Sequence, residues 1–127
     1  MTTSNGPIRL ITMLKRKPGL THAEFLTHWY EVHGPLIKNC AIGELVQRYE
    51  QHPASWPSEE EIAGGAHEPE WDGVTIQEYA KVDDFWAQIH LPDFAAMNDD
   101  INKFLDTANM PWVLCDEANV VIDRSGS

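Results

Sequence analysis

Between Gly6-Pro7 and Lys17-Pro18-Gly19 the chain runs Ile8-Arg9-Leu10-Ile11-Thr12-Met13-Leu14, a β-rich stretch bounded by turn formers that reads as a strand. A helix start follows. Thr21 and Glu24 stand at capping-box spacing, and Leu20 and Phe25 occupy the two positions of a hydrophobic staple. Phe25, Trp29 and Val32 recur at helical spacing until Gly34-Pro35, where proline lacks an amide donor and restricts its predecessor. The helix stops or kinks there, and Pro35 opens a shorter continuation to about residue 42. A second strand is expected over 45–51 and a third over 74–80. Phe85, Trp86 and Ile89 then mark one helical piece. After Pro92, Phe94, Met97, Ile101, Phe104 and Leu105 form the apolar stripe of a longer one. A last strand lies within 113–122.

The order is β-α-β-β-α-β, the split βαβ or ferredoxin-like arrangement of an α+β protein with an antiparallel sheet. Two helical regions cover one face of such a sheet. Leu10 and Leu14 alternate with Ile11 and Met13, so both faces of the first strand carry apolar side chains. An open apolar face of this kind marks an interface or a pocket. Homodimerisation through it is the economical expectation.

Residues 52–70 break the pattern. This stretch is polar, with three prolines, a Glu59-Glu60-Glu61 run and Gly64-Gly65. It is longer than an ordinary connection, and the 52–73 loop is expected to act as a lid or a dimer-contacting arm over a pocket mouth.

Composition narrows the function. A length of 127 residues with 43% hydrophobic residues fits one domain, residues 1–127, whose core spans about 8–122. A net charge of -11 repels phosphate backbones and anionic lipid, so no nucleic-acid partner is expected. No stretch reaches the ~20 apolar residues of a membrane helix, and the Met1-Thr2-Thr3-Ser4-Asn5 start lacks the features of a signal peptide. The expected location is the cytoplasm, with Cys40 and Cys115 as thiols.

His33 is the leading candidate for chemistry. It stands at a helix end before Gly34-Pro35, where it either caps the last carbonyls or moves protons near neutral pH. Tyr49 and Tyr79 are the other catalytic candidates. Trp29, Tyr30, Gln47, Gln77, Trp86 and His90 are candidates for holding a substrate. His28 falls between the polar and apolar sides of its helix, His22 reads as solvated, and Asp99-Asp100 reads as a solvated face. The six His show no metal spacing, so no metal is expected. GxSxG, GxGxxG and P-loop motifs are absent, and the expectation is acid–base chemistry in an apolar pocket with no cofactor.

The run Lys15-Arg16-Lys17-Pro18-Gly19-Leu20-Thr21, then Phe25, Trp29 and His33-Gly34-Pro35-Leu36, resembles the opening signature of the EthD family, R-x-P-G-[LM]-[ST]…F…[WY]-x-x-x-H-x-P-L. Trp71-Asp72-Gly73-Val74, Asp83-Asp84-Phe85, and Asp100 with Phe104-Leu105 resemble its second half. The resemblance implies a dimeric α+β barrel, two ferredoxin-like subunits packed sheet against sheet. It also implies cofactor-free chemistry on a small hydrophobic phenolic, polyketide-like or lactone substrate, and it raises the case for His33. Three activities fit: a lyase or isomerase (decarboxylation, dehydration or double-bond shift), a cofactor-free monooxygenase, and a non-catalytic small-molecule binding protein. A fold alone does not choose among them.

Overall fold

The computed structural model describes residues 6–125; the start read above for a leader, Met1 to Asn5, and the last two residues lie outside the described residues. The element order opens with β1 (Ile8–Leu14), α1 (His22–His28), a π-helical turn (Trp29–His33), α2 (Gly34–Lys38), α3 (Ala41–Leu45) and β2 (Val46–Pro53). It continues with α4 (Glu59–Ala63), β3 (Gly73–Tyr79), α5 (Val82–Ala87), a 3-10 turn (Gln88–His90), α6 (Phe94–Phe104) and β4 (Trp112–Cys115). Among the described residues the four strands form one antiparallel sheet in the order β2-β3-β1-β4, which is the ferredoxin-like arrangement.

The start of α1 is built as its residues dictate. The Thr21 hydroxyl accepts from the Glu24 amide, and the Glu24 carboxylate accepts from the Thr21 amide. The final strand is shorter than the apolar pattern predicts. It ends at Cys115, and Val120, Val121 and Ile122 beyond it are exposed and unpaired with the sheet.

The register assigns the faces. Ile8 pairs with Tyr79 and Leu14 with Gly73, so Leu10, Thr12, Leu14, Thr75 and Gln77 share the helix-covered side. Ile11, Met13, Val74, Ile76 and Val113 point the other way, bordered by the ion pairs Arg9–Glu78 and Arg48–Glu50. A bulge between Val46 and Arg48 takes Gln47 out of register with β3.

Two apolar clusters pack between sheet and helices. One joins Leu14, Phe25, Trp29, Phe104 and Leu105; the other joins Ile8, Tyr79 and Phe85. The helical cover on the second side is short and broken, and a cavity is left between the clusters.

The 52–73 segment corrects two expectations. His22 is not solvated: its Nδ1 lies 2.7 Å from Asp72 Oδ1, and its ring stacks on Trp56 at 3.6 Å. Asp72, fully buried, also accepts from the Arg16 guanidinium and backbone amide, both at 2.8 Å. These contacts hold the segment against the start of α1, and none of its residues before β3 lines the cavity. In this structure it lies beside the start of α1 rather than over the cavity. Its short helix carries a second capping box, Ser58 with Glu61, and the acidic run is exposed as expected.

Candidate active site

Pro35 cannot donate a hydrogen bond, and its ring collides with the carbonyl four residues back in a regular α-helix. The chain accommodates it with one extra residue per turn just before it. The Gly34 amide donates to the Trp29 carbonyl five residues back, and Gln51 Nε2 donates to the same oxygen at 2.9 Å. The widened turn has a chemical consequence. On a regular α-helix residues 28 and 33 would point about 140° apart. Here both imidazoles reach one carboxylate on α6.

That carboxylate is Asp100. His33 Nδ1 lies 2.8 Å from its Oδ2 and His28 Nε2 lies 2.8 Å from its Oδ1. The Asp99-Asp100 reading is thus corrected for one of the pair: Asp99 is exposed, whereas Asp100 is 3% exposed, because α6 turns it toward α1. Burial pushes its carboxyl up, but hydrogen bonds from His33 and His28 outweigh this and hold it below the usual range. An ionised Asp100 only accepts, so both facing ring nitrogens carry hydrogens. Phe104, one turn further along α6, lies against both rings, with centroids 4.5 Å from His28 and 5.2 Å from His33.

His33 is therefore fixed as the Nδ1–H tautomer, and its Nε2 makes no protein hydrogen bond among the described residues. Burial pushes its imidazole below the ordinary value, and the Asp100 hydrogen bond and charge offset this only in part. A neutral imidazole with a lone pair at the wall of an apolar space is chemically able to accept a proton there.

The space is a cavity of about 230 Å³. His33, Trp29, Tyr49 and Gln77 line it together, four of the residues named from sequence. Met97, Ile101 and Phe104 of the α6 stripe, with Phe85 and Trp112, supply its apolar wall. Tyr49 accepts from Gln51 Nε2 at 3.1 Å; burial raises its phenol pKa, and the hydrogen bond from Gln51 partly opposes this.

The other candidates fall elsewhere. Tyr79 does not line the cavity: it is fully buried in the second apolar cluster, and burial pushes its phenol up to about 12. Tyr30 and Gln47 face a separate concavity beside Lys38 and Arg48, because the β2 bulge and the outer side of the π turn direct them there. Trp86 is 51% exposed, its ring edge-on to Phe85, and His90 is exposed at the end of its 3-10 turn, while Gln88 and Ile89 of that turn line the cavity instead. Sequence reasoning missed Asp100, His28 and Gln88. The signal for the first two was the pair of spacings His28–His33 and Asp100–Phe104, readable only once the π turn is known. Among the described residues no group of three or more His, Cys, Asp or Glu is arranged to hold a metal ion, and no helix is long and apolar enough to cross a membrane.

Comparison with known proteins agrees with this geometry at the level of the fold. An EthD family protein from Bacillus halodurans superposes with a TM-score of 0.63 at 16% identity, over 88% of this chain and 99% of that one. A dimeric protein of unknown function with a ferredoxin-like fold from Bacteroides fragilis gives 0.57 at 14%, over 91% and 100%. SnoaB, a cofactor-independent oxygenase from Streptomyces nogalater, gives 0.59 at 9%, over 93% and 99%. Among curated proteins none matches. The sequence model of the EthD domain matches residues 17–108, a span that runs from the loop before α1 through α6, and the chain belongs to the EthD family.

Proposed function

We propose that the protein is a proton-transfer enzyme of the lyase or isomerase type, working through its own side chains on a small hydrophobic phenolic, polyketide-like or lactone substrate. The observation that carries this is the His33–Asp100 pair opening on an apolar cavity. His33 Nε2 takes a proton from a carbon beside a carbonyl. The C–H electron pair moves onto the carbonyl oxygen, and the enolate oxygen accepts from the Tyr49 hydroxyl, whose own oxygen is already held by Gln51. Returning the proton to another carbon completes a double-bond shift. Alternatively the enolate expels a β-hydroxyl, which leaves as water with the His33 proton. SnoaB is an oxygenase on the same fold, and an enolate that meets O₂ is the entry to that second chemistry; oxygen uptake separates the two.

The open face of Ile11, Met13, Val74, Ile76 and Val113 supports a homodimer packed sheet on sheet, as does the dimeric B. fragilis relative. The cytoplasm is the proposed location, consistent with the free thiols of Cys40 and Cys115.

The test is deuterium incorporation into the activated methylene of 1-phenylbutane-1,3-dione, above the buffer rate, followed by NMR at pH 7. Wild-type protein accelerates exchange, and His33→Ala lowers that acceleration by about 10²–10⁴ while keeping its fold. Equal acceleration by both proteins rejects His33 as the base, and no acceleration by either rejects the enzyme in favour of a binding protein.

A further inference from the structure

The wall of the cavity is polar in a directional way that the acid–base reading does not use. No Lys, Arg, Asp or Glu lines it among the described residues, and the charge held directly behind His33, that of Asp100, is negative. The lining also holds three amides, Gln77, Gln88 and Asn98, and the hydroxyls of Thr12, Thr75 and Tyr49. Gln77 and Gln88 both line the cavity, and both turn their carbonyl oxygens to the Tyr79 hydroxyl, which donates to Gln77 Oε1 at 3.2 Å with Gln88 Oε1 at 3.5 Å. Neither amide nitrogen makes a side-chain hydrogen bond among the described residues. With the oxygens engaged behind the wall, the N–H groups are left for the cavity. Tyr49 adds a third donor, since its oxygen already accepts from Gln51.

We infer that the site selects an uncharged compound bearing carbonyl oxygens, and that Tyr79 is the positioning residue that sets this preference by orienting Gln77 and Gln88. The inference rests on the cavity being the substrate site of the proposed function, and it narrows that function to isomerisation or dehydration of a neutral ketone or lactone. A carboxylate entering the cavity leaves water for a space with no counter-charge and a buried anion nearby. A hydroxyl at the Gln77 and Gln88 amides meets N–H groups, and its hydrogen must turn to His33 Nε2 or to the Thr12, Thr75 or Asn98 side chains for an acceptor. A carbonyl oxygen satisfies both conditions. A volume of about 230 Å³ admits one substituted aromatic ring or its equivalent.

The experiment measures binding by calorimetry at pH 7 for three probes of one skeleton: 1-phenylbutane-1,3-dione, 1-phenylbutane-1,3-diol and 4-oxo-4-phenylbutanoate. The diketone binds at least about tenfold tighter than either of the others, because the carboxylate loses its hydration without a counter-charge and the diol must find acceptors for two hydrogens in a wall with few of them. In Tyr79→Phe the amides are free to turn. The diketone-to-diol ratio then falls to within about threefold, while the diketone-to-carboxylate ratio stays, because charge sets the latter. Carboxylate or diol binding as tight as diketone in the wild type, or no diketone binding, overturns the inference. An unchanged diol ratio in a folded Tyr79→Phe protein removes Tyr79 from it. If that variant does not fold, Gln88→Leu replaces it, with about a tenfold loss of diketone affinity expected and equal affinity counting against the inference. Selectivity in the wild type without proton exchange rejects the proposed catalysis and leaves this inference standing, and exchange without selectivity does the reverse.

Discussion

A single carboxylate between two imidazoles decides what His33 can do. In Asp100→Asn the amide can accept from one ring only and must donate to the other. If the donor side faces His33, the ring turns to its other tautomer and presents N–H to the cavity. Exchange activity should then fall by about 10²–10⁴, approaching the loss known for such tautomer errors in hydrolytic triads, with the dichroism spectrum preserved. The same burial gives a pH signature. The His33 pKa is depressed in the fold, so the unfolded chain takes up the proton first as pH falls below about 6.5. Stability is full above that value and declines below it, and urea midpoints at pH 7.5 and 5.5 should show a decrease that shrinks in His33→Ala. Asp100 adds a further loss at lower pH, below about 4, because its own pKa is held down. At the alkaline end Tyr79 acts in the opposite sense. Its pKa is raised to about 12, so its contribution is intact below the unfolded value of about 10 and is lost as pH rises through the folded one. Absorbance titration should find a phenol that ionises only as the protein opens.

At the scale of elements, the strand and helix pattern was legible because alternation and caps are local. The capping box at Thr21, the strand over Ile8–Leu14 and the break near Pro35 all follow from neighbours within a few residues. The form of the break was not legible. Whether a helix ends, kinks or widens before a proline depends on partners such as Gln51, which reaches the Trp29 carbonyl from β2. That choice moves His28 into the site, so the chemistry was hidden with it. Deleting exposed Glu31 would leave His28 and His33 four residues apart, about 40° around a regular helix, so both rings could still face Asp100. Pro35 would then meet the carbonyl four residues back. The variant is expected to keep its far-ultraviolet dichroism and to lose about 3 kcal/mol in urea unfolding. Gly73 is a second constraint between elements. A methyl group there would lie 2.8 Å from the Trp29 ring and 2.9 Å from the His52 carbonyl. Gly73→Ala should lower stability by about 1–3 kcal/mol in urea unfolding and shift the fluorescence of Trp29.

At the scale of the molecule, the two-faced sheet was readable from β1 alone, and the cavity was not. A cavity is what remains where short α5 and its 3-10 turn fail to cover the sheet, and no residue pattern records an omission. Only tertiary placement separates Gln77 and Tyr49, which meet it, from His90 and Trp86, which do not. The open face predicts the assembly. Light scattering behind a sizing column should give twice the 14.4 kDa chain mass, and Ile11→Glu, a buried-charge insertion at the centre of that face, should give monomers. The sheet also sets how two such chains would communicate. The cavity opens on the helical side and the apolar face on the other, so in a sheet-to-sheet pair each substrate sits behind its own β-layer. Neither His33 nor Tyr49 would touch the partner. Filling one site leaves the second unaware of it, and saturation curves for the dimer should be hyperbolic, with a Hill coefficient of about one.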